Sequence, residues 1–228
     1  GAPVSRMKFL QFPQVLLLVC GLETGSMVVF RLDEAAGQLV RAALVVGHVG
    51  SIEDMSVDRR TNLLVTCSAD TTARVWRFDP NGSGAAECVG VLPSDVAGGL
   101  TVRRARFSAS GRRLFTLQVP AARAGNSYLV VWMVPPHLHP PSNNSGAAVA
   151  TTGKSTAPPS SAAGWRLWSP ESSVDLGSEE EQDASAPVLT RVAEGRCAAL
   201  AVDSTYARYV AVATGPSAVM ILNQDSLE

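Results

Sequence analysis

Apolar and polar positions along this chain alternate in short runs, and each run closes on a cluster of glycine, proline, asparagine or aspartate. Successive side chains of a strand point to opposite faces, so a period of two predicts half-buried strands. Residues 7–12 and the apolar run 15–20 read as two strands, Glu23-Thr24-Gly25-Ser26 as a hairpin turn, 27–30 as a third strand and 38–46 as an outer one. The pattern then repeats. Residues 51–57 alternate, 58–62 turn, 63–68 are apolar, Ala69-Asp70-Thr71-Thr72 turn again, and a strand ends on Trp76 before an outer strand at 88–92. The intervening Asp79-Pro80-Asn81-Gly82-Ser83-Gly84 contains a glycosylation sequon, but its composition is first that of a turn. A third group runs through 102–108, Ala109-Ser110-Gly111, 113–120 and 128–132, ending on Trp132. A fourth has strands at 197–202, 209–213 and 218–222 around the turn Thr214-Gly215-Pro216-Ser217. The prediction is all-β.

The second group carries polar chemistry as well. It opens on Gly47-His48 and closes on Trp76. His48, Ser68, Asp70 and Trp76 are predicted to form one hydrogen-bonded chain, with Asp70 capping the tight turn and accepting from His48. A buried polar group left without a partner costs roughly 1–3 kcal/mol, so such a chain is kept whole or discarded whole. Three short strands with Gly-His in front and Trp near the end resemble one blade of a WD-repeat β-propeller. The resemblance implies a structural role for the four residues; a Ser–His–Asp nucleophilic triad is disfavoured by their order and turn positions. The first group keeps the alternation but has Phe30 where the second has Trp76, as expected where packing alone holds a blade. The fold class is therefore an all-β propeller, and the resemblance implies about four blades out of about seven.

Composition divides the chain. Residues 1–134 read as propeller blades. Residues 135–186 are rich in Pro, Ser, Ala, Gly and Thr with an acidic cluster, Glu179-Glu180-Glu181 and Asp183. That stretch cannot bury enough apolar surface to offset its ordering entropy, which predicts a disordered insertion. Residues 187–228 continue the propeller, with 187–192 as the outer strand of the third blade and the insertion lying before it. The apolar island Trp165-Arg166-Leu167-Trp168 is a docking peptide or, the favoured reading, a short strand packed on the propeller side; Ser169-Pro170 beside it suits a proline-directed kinase.

Other chemistry is sparse. The 228 residues carry 19 basic and 20 acidic side chains, so no global field points to nucleic acid or an anionic membrane. Cys20, Cys67, Cys88 and Cys197 stand far apart with no C-x-x-C pair, which suits reduced thiols in a cytosol-facing domain. No signal peptide is legible, and the longest apolar run, 15–20, is too short to span a bilayer. Gly153-Lys154-Ser155-Thr156 ends like a phosphate-binding loop, but Ala148 stands where that loop's first glycine belongs. His137 and His139 lack a third ligand. Arg103, Arg104, Arg106, Arg112 and Arg113 form a local basic patch, read as a solvated blade edge ahead of an acidic-partner surface. Neither a carboxylate pair nor an activated nucleophile stands out, so no covalent catalysis and no catalytic, cofactor or metal residue is assigned.

The order of features resembles one family more closely. Cys20-Gly21-Leu22-Glu23-Thr24-Gly25-Ser26-Met27-Val28-Val29-Phe30 precedes the blade ending on Trp76. Arg113-Leu114-Phe115-Thr116-Leu117-Gln118-Val119-Pro120 is followed by a loop and Tyr128-Leu129-Val130-Val131-Trp132, and Pro187-Val188-Leu189-Thr190-Arg191 leads to the last blade and Ser226-Leu227. These stretches resemble the WD-repeat exchange factors for the Sar-type GTPase that starts COPII coat assembly, the prolactin regulatory element-binding protein family. The resemblance implies guanine nucleotide exchange at the cytosolic face of the endoplasmic reticulum, a C-terminal membrane helix, and a potassium-binding loop in a first blade. The chain, which starts Gly-Ala-Pro and stops on Ser-Leu-Glu, reads as an excerpt beginning at the second blade. The potassium loop and the membrane helix would then lie outside it, and no exchange residue can be assigned within it. The alternative is a scaffold or trafficking helper of the same family without exchange activity. A nucleic-acid-associated role is suggested by the family name and the arginine patch, against a near-zero net charge and three tyrosines. Four blades cannot close a ring, so uncovered end faces are expected, and the segment alone is expected to aggregate or stay partly open.

Overall fold

A computed structural model describes residues 1–94, 100–121, 126–139, 166–167, 190–194, 199–203, 208–214 and 218–224, with backbone only for 166–167 and 190–194. Strands β1 (Val4–Phe12), β2 (Val15–Leu22), β3 (Met27–Asp33) and β4 (Gln38–Val45) form the first antiparallel sheet in chain order. β5 (Ile52–Asp58), β6 (Leu63–Ser68), β7 (Thr72–Phe78) and β8 (Ala86–Pro93) form the second. β9 (Leu100–Phe107), β10 (Arg113–Pro120) and β11 (Asn126–Met133) build the third, whose outer edge is completed by β12 (Arg166–Leu167) and β13 (Thr190–Glu194). β14 (Leu200–Val202), β15 (Tyr209–Ala213) and β16 (Val219–Asn223) form a fourth sheet.

The turns follow from their residues. Gly25 joins β2 to β3 with φ +86°, and a Cβ there would lie 2.5 Å from the His48 carbonyl oxygen, so only glycine fits. In the β7–β8 turn, the Ser83 hydroxyl of the sequon donates to the Asp79 carboxylate (2.6 Å).

Two sequence expectations change in the third blade. Its outer edge was expected to be one strand at 187–192 after the whole insertion. Instead Leu167 and Arg166 pair with Trp132 and Met133, and residues 190–194 pair with the other end of β11. Both segments run antiparallel to β11, so together they make one interrupted outer strand, and Arg166–Leu167 supplies its first half. The propeller packing also runs past residue 134: Pro136–Leu138 is a 3-10 turn that buries Leu138 in the core between the second and third blades. Proline at its start fixes the backbone angle that the turn needs. The remainder of the expected disordered insertion, with the Ser169-Pro170 pair and the phosphate-loop-like 153–156, lies outside the described residues.

The core lies between sheets. One apolar cluster joins the first and second blades, another the second and third, and the last the third and fourth. β6 is buried along its whole length because both of its faces are covered, Leu64 by the first blade and Leu63, Val65 and Cys67 by the third. Burial also raises the thiol pKa of Cys20, Cys67 and Cys88, so these free cysteines stay protonated.

Polar ties cross the same seams. The Ser5 hydroxyl donates to the Ile52 carbonyl (2.6 Å), Arg103 pairs with Glu53 (2.7 Å), and Arg106 pairs with Asp54. Arg113 donates to the Gln224 carbonyl (2.7 Å), linking the third blade to the fourth. The arginine-rich stretch is therefore not simply a solvated edge, because three of its guanidinium groups are committed to neighbouring blades.

Candidate functional site

The polar constellation of the second blade is assembled from four places. Trp76 stands on β7, Thr66 one pleat inside β6, Asp70 in the tight β6–β7 turn, and His48 in the loop before β5. The indole N–H of Trp76 donates to the Thr66 hydroxyl oxygen (2.9 Å). Thr66 Oγ1 is 2.8 Å from His48 Nε2, and His48 Nδ1 is 2.8 Å from Asp70 Oδ2. A carboxylate only accepts, so Nδ1 carries the imidazole proton and Nε2 is left to accept from the threonine. The protons then run one way, from indole to hydroxyl to imidazole to carboxylate. Asp70 also takes the backbone N–H groups of Val49 (3.1 Å) and Thr72 (3.0 Å) and the Thr72 hydroxyl (2.7 Å), which fixes the turn.

This corrects one assignment. The hydroxyl of the chain belongs to Thr66, not to Ser68. Both side chains lie on one face of β6, but Ser68 is its last residue, beside the turn. There its hydroxyl donates to the Gly50 carbonyl (2.8 Å) and accepts from the Asp70 N–H (3.1 Å), out of the indole's line. A repeat in the sequence marks the right residue. Leu64 lies opposite Trp76 and Leu114 opposite Trp132, and each leucine is followed two places later by a threonine. In the third blade Trp132 duly donates to Thr116 (2.9 Å).

Glycine shapes the lead-in loop. A Cβ on Gly47 would lie 2.5 Å from the Trp76 ring, so the chain passes against the indole only because that residue has no side chain. His48, Thr66 and Trp76 are buried, and the imidazole meets the indole edge-on. Buried in this way, the constellation ties the lead-in loop, the tight turn and two strands of one blade to each other.

Burial lowers the His48 pKa below its ordinary value, although the hydrogen bond and charge of Asp70 pull the other way. For Asp70, burial works to raise the pKa, but the hydrogen bond from Thr72 and the interaction with His48 outweigh it and the net shift is downward. Both shifts have one consequence. A folded-state pKa below the unfolded one means that the unfolded chain takes up protons first. The histidine contribution is complete above its unfolded pKa of about 6.5 and declines as pH falls below it. The Asp70 contribution follows below about 3.9, the unfolded aspartate value. Denaturant midpoints measured from pH 8 to pH 5 should fall with acid in the native chain, and the fall should be shallower in His48→Gln.

Elsewhere the candidates do not converge. His137 is exposed, and the His139 ring lies 3.2 Å from the Val134 carbonyl. Among the described residues no cluster of three His, Cys, Asp or Glu side chains forms a metal site, and no helix is long and apolar enough to cross a membrane.

No family model and no curated protein matches the chain. Solved structures do. The Dos1 propeller aligns with all of the chain at a TM-score of 0.61 and 10% identity, over 46% of its own length. Chaetomium thermophilum Sqt1, solved bound to the N-terminus of ribosomal protein L10, aligns with 95% at a TM-score of 0.57 and 14% identity, over 45% of its length. A chain of the mitotic checkpoint complex aligns with 100% at 0.56 and 12%, over 51%. The chain thus spans about half the length of these structures. Its fold is that of a partial β-propeller. Its successive antiparallel sheets and the Trp–Thr–His–Asp relay of the second one are of the kind found in WD-repeat propellers.

Proposed function

We propose that this chain is the scaffold portion of a guanine nucleotide exchange factor for a Sar-type small GTPase, acting in COPII vesicle formation at the endoplasmic reticulum. The observation that carries the reading is the third blade, where Arg-Leu-Phe-Thr-Leu-Gln-Val-Pro over 113–120 precedes a strand ending on Trp132. Several of these residues do structural work: Arg113 ties to the fourth blade, Thr116 receives the Trp132 indole, and Gln118 reaches towards the Pro93 carbonyl (3.5 Å). They support the family resemblance and leave exchange contacts to loops beyond them. Exchange itself is a binding mechanism: a propeller face that prefers the GTPase with low nucleotide affinity shifts the population and releases the ligand. Potassium and a membrane anchor would belong to flanking sequence.

The test is release of labelled GDP from a Sar-type GTPase by the protein carrying this stretch with its flanking blades. Faster release than from the GTPase alone is expected. GTPase binding without acceleration would favour the second reading, a trafficking scaffold lacking exchange, which the L10-bound Sqt1 fold supports as a general mode. Arginines already paired across blades weigh against nucleic acid, and steeply salt-dependent duplex binding would be needed to revive it.

A further inference from the structure

The first strand of each sheet lies against the first strand of the next, β1 on β5, β5 on β9 and β9 on β14, so that together they form the inner wall of the arc. The first three of them carry a β-bulge at one and the same point of the repeat. The extra residues are Ser5, Glu53 and Arg103, and the ladder resumes opposite Gly21, Cys67 and Leu117. Each of those stands three places after the leucine that faces Phe30, Trp76 or Trp132. A bulge breaks the alternation of faces and re-aims the side chains around it. The positions that follow it are therefore equivalent in the three blades: Arg6 and Lys8 in the first, Asp54 and Ser56 in the second, Arg104 and Arg106 in the third.

Two of the cations on this wall are matched. Arg103 pairs with Glu53 (2.7 Å) and Arg106 with Asp54. Asp58, at the end of β5, is turned to the Arg60 amide and the Thr61 hydroxyl of its own turn. Arg6, Lys8 and Arg104 remain, and among the described residues no carboxylate lies within ion-pair distance of them. Arg6 and Arg104 donate to the carbonyls of the residues before them, Ser5 (2.6 Å) and Arg103 (2.8 Å). The two cations of the first blade do not owe their exposure to the open end of the arc. A Cβ on Gly21, opposite Arg6, would lie 2.9 Å from the Ile52 side chain, and Val19, opposite Lys8, belongs to the apolar cluster that joins the first blade to the second. Both cations thus stand on the face that the second blade covers, and both are exposed, so they project past β5 to the inner side.

We infer that this wall binds a compact anion bearing several phosphates, of the inositol polyphosphate kind, with Arg6, Lys8 and Arg104 as its contacts. A guanidinium presents paired N–H donors that match two phosphate oxygens at once, and an ammonium adds a point charge. A concave wall lined by one sign concentrates its field. Three cations without counter-charges supply that field here, although the chain as a whole has 19 basic and 20 acidic side chains. They flank β5 from the strands on either side of it, an arrangement that fits a compact ligand better than an extended acidic peptide. Binding at this wall is independent of nucleotide exchange, and either can fail alone.

Isothermal titration of inositol hexakisphosphate into the protein carrying this stretch with its flanking blades is the test, at about 0.15 M salt, where screening suppresses loose attraction between exposed charges. One site of micromolar affinity is expected. Lys8→Gln, at an exposed position, and Arg104→Gln should each weaken it roughly tenfold, about the loss of one charge-assisted contact. Arg77→Gln, which removes an exposed guanidinium from β7, should leave it within about twofold. Melting curves of the unliganded variants verify that each is folded, and Lys8→Gln remains decisive if Arg104→Gln is not. No heat of binding at millimolar ligand would overturn the inference. So would an equal loss in Arg77→Gln, which marks diffuse attraction, or tighter binding of a hexaglutamate peptide, which marks a surface for acidic peptides.

Discussion

Thr66→Val should lower the unfolding free energy by about 2–5 kcal/mol, while Ser68→Ala should cost about 1 kcal/mol. Valine keeps the volume and the β-branched shape of threonine, so the loss is chemical. Thr66 is the one group that both accepts from Trp76 and faces His48 Nε2, at 2.9 and 2.8 Å. Without its hydroxyl, the indole N–H and the imidazole nitrogen are both buried and unpaired, each at roughly 1–3 kcal/mol. Ser68 serves the edge of the turn, where the Asp70 carboxylate already holds the Val49 and Thr72 amides. Thr66→Ser, which keeps the oxygen, should recover most of the loss. Urea midpoints at constant m-value measure all three. A larger loss at Ser68 than at Thr66 would return the hydroxyl of the relay to Ser68.

The same pair shows how far the sequence could be read. Alternation and turn residues placed the strands of all four sheets to within a few residues, because a face buried between blades imposes a period of two. His48, Asp70 and Trp76 were legible because the loop, the turn and the last strand each hold a distinctive residue. The hydroxyl was not, because β6 offers two on one face and only the Leu-x-Thr spacing repeated in β10 separates them. The arginine patch was misread for another reason. Arg103 and Arg106 find Glu53 and Asp54 some fifty residues earlier, on a strand made adjacent only by the stacking of blades. The short strand at Arg166–Leu167 was legible as an apolar island packed on the propeller side, but not its place in the outer edge of the third blade, since a two-residue pairing with β11 leaves no periodic trace.

Phe115→Ala should cost about 3–5 kcal/mol, with an effect concentrated in the fourth blade. Phe115 is wholly buried and stands among Leu117, Leu129, Val131, Leu200, Val210, Val212 and Leu222, the cluster that joins the third blade to the fourth. Beside this cluster, the Arg113 guanidinium ties the third blade to the Gln224 carbonyl of the fourth. In a stacked array, stability is the sum of each unit and its nearest-neighbour contacts, so a unit opens more readily when the contact with its neighbour is weakened. Native-state hydrogen exchange should therefore show β15 amides losing protection in the variant while β6 amides, covered on both faces, keep theirs. Equal loss in β6 and β15 would mean that the arc opens as a single unit. Retained protection in β15 would mean that contacts of the fourth blade other than the Phe115 cluster hold it in place.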